Sequence, residues 1–444
     1  MSSLSTSPYK GTRDYYPEDK RVQNYIFKIW KQVSERYGYE EYGAPMLEPL
    51  EVYAAKSGQE LVGEQTYRFT DRGGREVAIR PEMTPTVSRM VAARRQELAY
   101  PARLFSIANY MRYERPQRGR EREFWQLNVD VFGADGALPE AEIIALGADI
   151  MKAFGATPEM YQIKLNNRLI IDAMMRDYLG LDTVQAQLMI KLFDRKNKIS
   201  NEAFRDQAIE IFGSEAAPEG LRRIAELLVA KDIHTLPKEI STDPAIREVK
   251  ELFDHLSREG VTNIVFDITL MRGFDYYTGT VFEFFDLHPE NNRSLFGGGR
   301  YDGLVGLFGA EPLSAVGMAP GLSMTELFLE SHGLLPKLPS TTDVYLVVLS
   351  EDAQDAATAL AGRLRAEGVN TELDYTGRKL DKQIKTAIKK GVPYMLFFGE
   401  NDIKADIYNL KDTQTAEEEK LSFERIVTRV KDRRRNHTTD DDLI

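Results

Sequence analysis

The densest group of chemically active side chains is an arginine-rich loop, which we define as residues 112–122. It contains five arginines, and Pro116 and Gly119 interrupt regular structure between two predicted strands. Guanidinium groups donate paired hydrogen bonds that match the oxygen atoms of phosphates and carboxylates. The loop therefore suits a triphosphate or the end of an RNA, although a solvated charged hairpin is also compatible with this segment taken alone.

The predicted strand after this loop, residues 124–131, has two chemically different faces. Alternation puts Gln126, Asn128 and Asp130 on one face and apolar side chains on the other. A face made of amides and a carboxylate favours a polar ligand. The alternative is an edge strand whose polar face lies in water.

Two glycine-containing segments lie further along the chain. Residues 272–279 begin with Arg272 and contain the adjacent tyrosines Tyr276 and Tyr277, whose hydroxyls and rings can bind a ligand. Residues 297–303 contain three consecutive glycines and Tyr301, and such a run lets the backbone approach a ligand closely. Each segment alone is also compatible with a turn. The glycine run does not fit the Rossmann pattern, and the sequence contains no P-loop pattern.

A carboxylate follows another short predicted strand, where Glu82 and Thr84 lie within residues 80–84. Glu82 could hold an ammonium group, with Thr84 as a hydrogen-bonding neighbour. A lone glutamate is more often a surface residue, and that is the alternative interpretation.

Near the C-terminal end, cations repeat at helical spacing at Arg378, Lys382, Lys385 and Lys389. A helix face of this kind can meet a phosphate backbone. Alternatively it is a solvated face with no ligand.

The composition limits the class of protein. With 444 residues, of which 42% are hydrophobic and 29% charged, the chain is expected to be soluble and to form two or three domains. The lack of cysteine excludes disulfides, thiolate catalysis and Cys-ligated zinc, and the five histidines never take a metal-ligand spacing, so we expect no metal site built from side chains. No apolar run reaches membrane length and no secretory signal is found, so we expect a cytoplasmic protein without membrane contacts. The net charge of −11 argues against indiscriminate nucleic-acid coating but not against a local basic site.

Hydrophobic periodicity divides the chain into an α/β protein of several segments. We predict a core in two parts (1–168 and 261–330), a helical insertion (169–260), a linker (331–342), a mostly parallel α/β domain (343–432) and a disordered tail (433–444).

Taken together and in this order, the segments resemble the histidyl-tRNA synthetase family of class II aminoacyl-tRNA synthetases. Residues 10–14 are similar to the opening of that family, residues 38–51 to motif 1 and residues 103–133 to motif 2. Residues 272–277 and 297–303 are similar to the two signature peptides of the histidine enzymes. The resemblance implies an α+β catalytic core, in which helices flank an antiparallel sheet, followed by an anticodon-binding domain. It also implies ATP, Mg²⁺, L-histidine and tRNA(His) as partners, and a homodimer built through motif 1.

The resemblance assigns a role to each candidate residue. Arg112 and Arg272 are the implied catalytic residues on two sides of the reacting centre. The implied ATP contacts are Arg112, Glu114, Arg120, Arg122 and Arg272. The implied histidine contacts are Glu82, Thr84, Gln126, Asp130, Tyr276, Tyr277 and Tyr301. The implied tRNA contacts are Arg118, Arg120, Arg378, Lys382, Lys385 and Lys389.

One position departs from the family pattern. Ser323 and Met324 stand where motif 3 has a glutamate and an arginine that contacts the γ-phosphate of ATP. Losing one charge-assisted contact costs about 1.5–3 kcal/mol. We interpret the change as compensated by other arginines; weaker ATP binding or an inactive chain are the alternatives. An inactive chain could be of two kinds. One is like the regulatory subunit of ATP phosphoribosyltransferase, which resembles only the catalytic part of the synthetases. The other is a nucleic-acid-binding module that uses the fold without catalysis.

Overall fold

The computed structural model describes residues 4–54, 61–230, 232–271, 276–291, 293–398, 402 and 405–441. The chain divides into two compact units, residues 1–335 and 336–444.

The first unit is built on an eight-stranded sheet and a three-stranded sheet. Its strands in the described residues are β1 (Glu40–Glu41), β2 (Leu47–Pro49), β3 (Arg68–Thr70), β4 (Glu76–Ile79), β5 (Ala102–Met111), β6 (Glu123–Phe132), β7 (Tyr161–Asn167), β8 (Ile264–Phe266), β9 (Thr280–Asp286), β10 (Ser294–Arg300) and β11 (Ala315–Met318). Its α-helices there are α1 (Pro17–Arg36), α2 (Glu51–Ala54), α3 (Thr84–Ala93), α4 (Ala137–Ala153), α5 (Arg168–Ala173), α6 (Thr183–Asp194), α7 (Asn201–Phe212), α8 (Ala217–Val229), α9 (Lys238–Ser241), α10 (Pro244–Arg258) and α11 (Leu322–Ser331).

The large sheet has the order β1-β5-β6-β11-β10-β9-β7-β8. Its six inner strands pair antiparallel, and only the two edge strands, β1 and β8, pair parallel with their neighbours. β5 and β6, each ten residues long, form a hairpin, and the arginine-rich loop connects them. The predicted antiparallel sheet with flanking helices is therefore confirmed.

One face of this sheet is covered by helices because the sequence places apolar side chains at matching periods. In α1, Ile26, Trp30 and Val33 recur at helical spacing and are buried. They join Leu127 and Val129 of β6 in one hydrophobic core. The apolar face of β6 thus packs inward, and its polar face is left for the opposite side of the sheet.

The predicted helical insertion is also confirmed, because helices α5 to α10 lie between β7 and β8 in the chain. Their side chains continue the same hydrophobic core.

The second unit contains a five-stranded sheet of order β13-β12-β14-β15-β16. The strands in the described residues are β12 (Val344–Val348), β13 (Thr371–Leu373), β14 (Tyr394–Phe398), β15 (Ile407–Asp412) and β16 (Glu418–Ser422), and the α-helices are α12 (Gln354–Ala366), α13 (Leu380–Lys389) and α14 (Phe423–Asp441). The predicted parallel βαβαβ order covers β12 to β14. The sequence analysis did not predict β15 and β16, which extend the sheet antiparallel.

The end of the chain differs from the disorder predicted for residues 433–444. Helix α14 continues to Asp441, and residues 442–444 lie outside the described part. The basic residues are partly used within the unit, since Arg434 bonds to Asp343 through Nε at 2.8 Å and Arg433 lies 3.5 Å from Asp412.

Candidate functional site

The polar face of β6 points its side chains at specific partners. Gln126 Nε2 donates to the carbonyl oxygen of Ala319 at 2.9 Å, and Asn128 Oδ1 accepts from the Tyr110 hydroxyl at 3.1 Å. β6 lies between β5 and β11, so the alternative of an edge strand with a solvated polar face is wrong. Asn128 and Asp130 on this face are buried, and Gln126 is half-buried.

Asp130 is the most deeply placed of these side chains, with 1% of its surface exposed. Its Oδ1 accepts a hydrogen bond from the Tyr301 hydroxyl, whereas its Oδ2 is buried without a hydrogen-bond partner among the described residues. Burial raises the pKa of Asp130 to about 7, against the opposing effect of the Tyr301 hydroxyl. A buried oxygen without a donor is costly, so Asp130 is suited to receive an N–H group from a ligand.

A pH-dependent stability follows for the unligated protein. The folded-state pKa of Asp130 is about 7, above the ordinary aspartate value of 3.8, so the folded protein holds this proton more tightly than the unfolded chain does. The stabilisation is fully present below the unfolded pKa and is lost as the pH rises through the folded pKa. An asparagine at position 130 cannot ionise, so Asp130→Asn lacks this pH dependence. Between pH 5 and pH 8 the wild type should lose roughly a few kcal/mol of unfolding free energy relative to the variant, and its melting temperature should fall accordingly. Calorimetry at several pH values measures this difference.

The control for that measurement is Asp177→Asn, because Asp177 is an exposed carboxylate. Its melting curve should follow the wild type across the same range. Parallel curves for wild type and Asp130→Asn would contradict the account of Asp130.

A row of tyrosines connects Asp130 with a second buried carboxylate, Glu82. The Tyr276 hydroxyl donates to Glu82 Oε2 at 2.7 Å, and its ring packs edge-on against Tyr277 and Tyr301, with centroids 5.2 and 5.9 Å apart. Burial raises the pKa values of these three tyrosines, so their hydroxyls stay protonated at neutral pH. Two carboxylates at the ends of a tyrosine row suit a small ligand that carries N–H groups at two places.

Arg112 begins the arginine-rich loop beside this row. Its Nε donates to the carbonyl oxygen of Pro81 at 2.9 Å, next to Glu82 in the chain, and its guanidinium lies 5.2 Å from the centre of the Phe124 ring. Glu114 lies between two cations, with Oε1 3.8 Å from Arg112 Nη1 and Oε2 3.6 Å from Arg120 Nη1. The structure therefore brings an oriented arginine next to the carboxylate site.

Arg122, at the other end of the loop, is used internally. Its Nε donates to the carbonyl oxygen of Glu114 at 3.1 Å, its Nη1 donates to the Tyr9 hydroxyl at 3.0 Å, and its guanidinium stacks 4.0 Å from the Tyr113 ring. It is 9% exposed, so its contacts hold the loop rather than present a free cation.

The glycine run before Tyr301 lies in strand β10, not in a turn. A side chain at Gly298 would collide with the carbonyl oxygen of Gly317 and the ring of Phe282, and one at Gly317 would collide with Asp130. These glycines are therefore needed for close packing between neighbouring strands, and not for an open approach to a ligand.

Sequence reasoning did not find the pair that fixes the end of this strand. Arg300 donates from Nε and Nη2 to the two carboxylate oxygens of Glu140, each at 2.6 Å, and both side chains are buried. The pair ties β10 to the first turn of α4 and so positions Tyr301, the next residue. The position of Arg300 inside the glycine-rich segment was the available signal, but its partner is far away in sequence.

Sequence models of two known domain families match most of this chain. A sequence model described as histidyl-tRNA synthetase matches residues 11–324, and one described as an anticodon-binding domain matches residues 343–433. A histidine–tRNA ligase of Leptospira biflexa is 41% identical over 97% of this chain and 98% of its own length. The chain belongs to the histidyl-tRNA synthetase family.

Two solved structures share the fold. A histidyl-tRNA synthetase from Nostoc sp. PCC 7120 superimposes with a TM-score of 0.80 at 23% identity, covering 97% of this chain and all of that one. A Bacillus halodurans protein described as an ATP phosphoribosyltransferase regulatory subunit/histidyl-tRNA synthetase gives a TM-score of 0.73 at 24% identity, covering 89% of this chain and 99% of that one. The class II fold predicted for this member of the histidyl-tRNA synthetase family is thus confirmed.

The first histidine signature peptide is only partly described in this synthetase. Arg272 and residues 273–275 lie outside the described residues, so its predicted catalytic role is untested. The preceding residue is fixed, because the carbonyl oxygen of Met271 accepts from Arg168 Nη1 at 3.2 Å.

The motif 3 departure lies where the arginine-rich loop meets helix α11. Ser323 Oγ donates to Glu121 Oε2 at 3.1 Å. A methyl group added to Gly119, which has a φ of +74°, would lie 2.5 Å from the sulfur of Met324. The two substituted positions of this synthetase thus contact the loop directly.

The basic helix in the second unit differs in part from the prediction. Lys382, Lys385 and Lys389 are exposed on α13. Arg378 precedes the helix and its Nε donates to Asp374 at 3.1 Å, so it does not continue the stripe. Tyr375, which sequence reasoning missed, is 72% exposed nearby in the chain.

Two kinds of structure are not found among the described residues. None of their helices has the length and apolar character needed to cross a lipid bilayer. They also contain no group of three or more His, Cys, Asp or Glu side chains arranged to hold a metal ion.

Proposed function

We propose that this chain is a histidine–tRNA ligase, which activates L-histidine with ATP and transfers it to the 3′ end of tRNA(His). The observation that carries the specificity is Asp130, a buried carboxylate whose Oδ2 has no donor among the described residues. Together with Glu82 at the other end of the tyrosine row, it matches the imidazole and the ammonium group of histidine. Membership in the histidyl-tRNA synthetase family supports the same assignment.

In this proposal, the imidazole binds between Asp130 and Tyr277. Asp130 accepts one ring N–H, and the Tyr277 hydroxyl serves the other nitrogen, while Tyr301 fixes Asp130 through its hydrogen bond. An amino acid without two ring nitrogens would leave these groups unpaired, which costs affinity heavily.

The α-ammonium group of histidine is assigned to Glu82, Thr84 and Gln126. The Tyr276 hydroxyl orients Glu82, and the bond from Gln126 Nε2 to Ala319 turns the amide so that Oε1 remains an acceptor. A buried carboxylate neutralises the charge of the ammonium group, and two neutral oxygens accept its remaining hydrogen bonds.

Adenylation then needs charge stabilisation but no difficult proton transfer. The histidine carboxylate attacks the α-phosphorus of ATP, a C–O–P linkage forms, and the bond to pyrophosphate breaks. Arg112 lies beside Glu82 and is assigned to the α-phosphate and the attacking carboxylate, with Glu114 orienting it. Arg272 is assigned to the opposite side of the same phosphorus.

Arg120 and Arg122 have different roles in this proposal. Arg120 is exposed and is assigned to the outer phosphates or the tRNA end. Arg122 is buried between Tyr9 and Tyr113, and we assign to it the holding of the loop.

Magnesium enters with ATP, as the magnesium complex of the substrate. Glu114 lies close to Arg112 and Arg120, and Glu121 accepts from Ser323, so these carboxylates suit outer contacts better than a dedicated metal cage. Bound to the triphosphate, the ion would supply positive charge that offsets the negative charge of the phosphates.

The protein is proposed to act as a homodimer in the cytoplasm, where tRNA is charged. Motif 1 borders the small sheet, and Met46, Leu47 and Phe69 there are 39%, 49% and 45% exposed. Apolar side chains grouped at a surface favour burial against a second copy. Light scattering that gives the mass of a single chain would contradict this.

The tRNA is proposed to be read at two places. Arg118 and Arg120 on the loop approach the acceptor end, and the α13 lysines approach the anticodon arm. Lys382→Glu/Lys385→Glu should raise the KM for tRNA(His) by about 10-fold or more at low salt, since each reversal replaces a phosphate contact by repulsion. Pyrophosphate exchange should be unchanged, because adenylation needs no tRNA.

The control for this variant is Lys420→Glu/Arg425→Glu, which makes the same charge change at exposed positions of the same unit. It should charge tRNA nearly as well as the wild type. Equal losses in the two variants would mean that overall charge, and not the α13 face, governs binding.

The regulatory-subunit alternative has one observation in its favour, the uncharged Met324. It does not account for residues 343–433, which match an anticodon-binding domain. The charging of transcribed tRNA(His) with labelled histidine distinguishes the two. We expect acid-precipitable histidine that is lost when the terminal adenosine is removed; adenylation without charging would contradict the ligase assignment.

A further inference from the structure

Three segments meet at the motif 3 departure. They are the tip of the arginine-rich loop at Arg118 and Gly119, the first turn of helix α11 with Met324, and the connection between β9 and β10, which ends at Arg293. The sequence analysis did not identify the β9–β10 connection as functional.

Arg293 joins this connection to the loop. Its Nη1 donates to the carbonyl oxygen of Arg118 at 2.8 Å and lies 3.8 Å from where a Cβ on Gly119 would be. The sulfur of Met324 would lie 2.5 Å from the same added Cβ, so Met324 and the guanidinium of Arg293 both border Gly119.

Arg293 has no acidic partner among the residues that the structure describes, and in this it differs from Arg13 and Arg120. Arg13 is bound to Glu326 by two hydrogen bonds of 2.8 and 3.0 Å, Arg120 lies 3.6 Å from Glu114, and Arg122 is buried. Arg293 is half-buried and directly precedes β10 of the large sheet. Its position is therefore fixed while most of its five N–H groups remain for a ligand.

The direction of the loop indicates which ligand group reaches it. Arg112, at the base of the loop, lies beside the Glu82 site, and Arg293 lies at the tip. A triphosphate that extends along the loop from an α-phosphate at Arg112 would bring its outer phosphates to the tip. Guanidinium groups bind such phosphates through paired hydrogen bonds.

We infer that Arg293 binds the outer phosphates of ATP and supplies the positive charge that Met324 lacks. The inference rests on the proposed function, because it needs ATP in this site. It explains how a member of the family can have an apolar residue at position 324: the charge comes from a neighbouring strand end and not from helix α11.

The first test is ATP–pyrophosphate exchange with histidine for Arg293→Ala, Arg293→Gln and Arg293→Lys. We expect Arg293→Ala to raise the KM for ATP by about 10- to 100-fold, the usual range for one charge-assisted contact. The KM for histidine should change less than about twofold, because Arg293 lies at the opposite end of the loop. Arg293→Lys should retain part of the affinity.

The glutamine variant separates charge from positioning. It keeps an amide donor for the carbonyl oxygen of Arg118 but carries no charge. We expect it to behave like the alanine variant. Wild-type ATP affinity in Arg293→Gln would mean that Arg293 only positions the loop, and would overturn the inference.

The second test is rescue from the other side of the contact. Met324→Arg introduced into Arg293→Ala should return the KM for ATP to within a few-fold of wild type. Failure to rescue, while Met324→Arg alone remains active, would contradict the exchange of roles. If Met324→Arg alone is inactive, the KM values for ATP of Arg293→Gln and Arg293→Lys test the inference instead.

The matched control is Arg365→Ala, because the guanidinium of Arg365 likewise donates to a backbone carbonyl, that of Thr371 at 2.9 Å. It should leave the KM for ATP unchanged. No exchange by the wild type with histidine would contradict the proposed function itself. Exchange by the wild type with an unchanged KM for ATP in Arg293→Ala would contradict only this inference.

Discussion

Arg112→Ala is expected to lower the rate of adenylate formation by about 10²- to 10³-fold, as the loss of one preorganised donor does in other enzymes. The hydrogen bond from Nε to Pro81 and the nearby Glu114 fix this guanidinium beside the carboxylate site before substrate binds. Its charge is therefore already oriented when charge develops on the α-phosphate. Single-turnover formation of histidyl-adenylate measures the effect on the chemical step.

Two further variants make this prediction specific. Arg112→Lys keeps a charge but not the paired donors, and should recover only part of the rate. Arg94→Ala, at an exposed arginine of the same unit, should behave like the wild type. Near-normal adenylation by a folded Arg112→Ala protein would remove Arg112 from the reacting centre.

Asp130→Ala is expected to raise the KM for histidine by about 10²- to 10³-fold while changing the KM for ATP little. The variant removes the buried acceptor for the imidazole N–H and leaves the Tyr301 hydroxyl without its partner. Steady-state exchange, with each substrate varied in turn, measures the two constants separately.

The control is Asn128→Ala on the same face of β6. Asn128 bonds to Tyr110, and no ligand contact is assigned to it, so any loss there reports on packing alone. Equal increases in the KM for histidine and for ATP in Asp130→Ala would contradict imidazole recognition.

Much of the fold could be predicted because local periodicity and tertiary packing agree. The alternating pattern of β6 predicted both its buried apolar face and its inward polar face, since the strand separates a core from a site. The β15–β16 hairpin was missed because it is short, charged and partly exposed, so the residues carry little hydrophobic alternation.

The site was predictable where the role of a residue depends on the strand that contains it. It was less predictable where the role depends on a partner far away in the sequence. Gln126 and Asp130 share a face by alternation alone. Arg122 and Arg378 look like free cations in the sequence, but Tyr113 and Asp374 engage them in the fold. The glycines of β10 look like a turn because the strands that require them come together only in the sheet.

Partners far apart in sequence set the remaining features. Arg300 is paired with Glu140, and Arg293 with the backbone of the arginine-rich loop, across more than a hundred residues. No local pattern indicates such pairs, because neither side chain belongs to a periodic face that points at the other.

The most direct measurement of the central claim is ATP–pyrophosphate exchange with each of the twenty amino acids in turn. The arrangement of Asp130, Glu82 and Arg112 predicts exchange with histidine alone, at a rate that requires the arginine-rich loop. Exchange with another amino acid would contradict the assignment of Asp130 to the imidazole. A folded protein that exchanges with none of them, even at high ATP, would show that the loss of charge at Met324 is not compensated and that the chain is not a working synthetase.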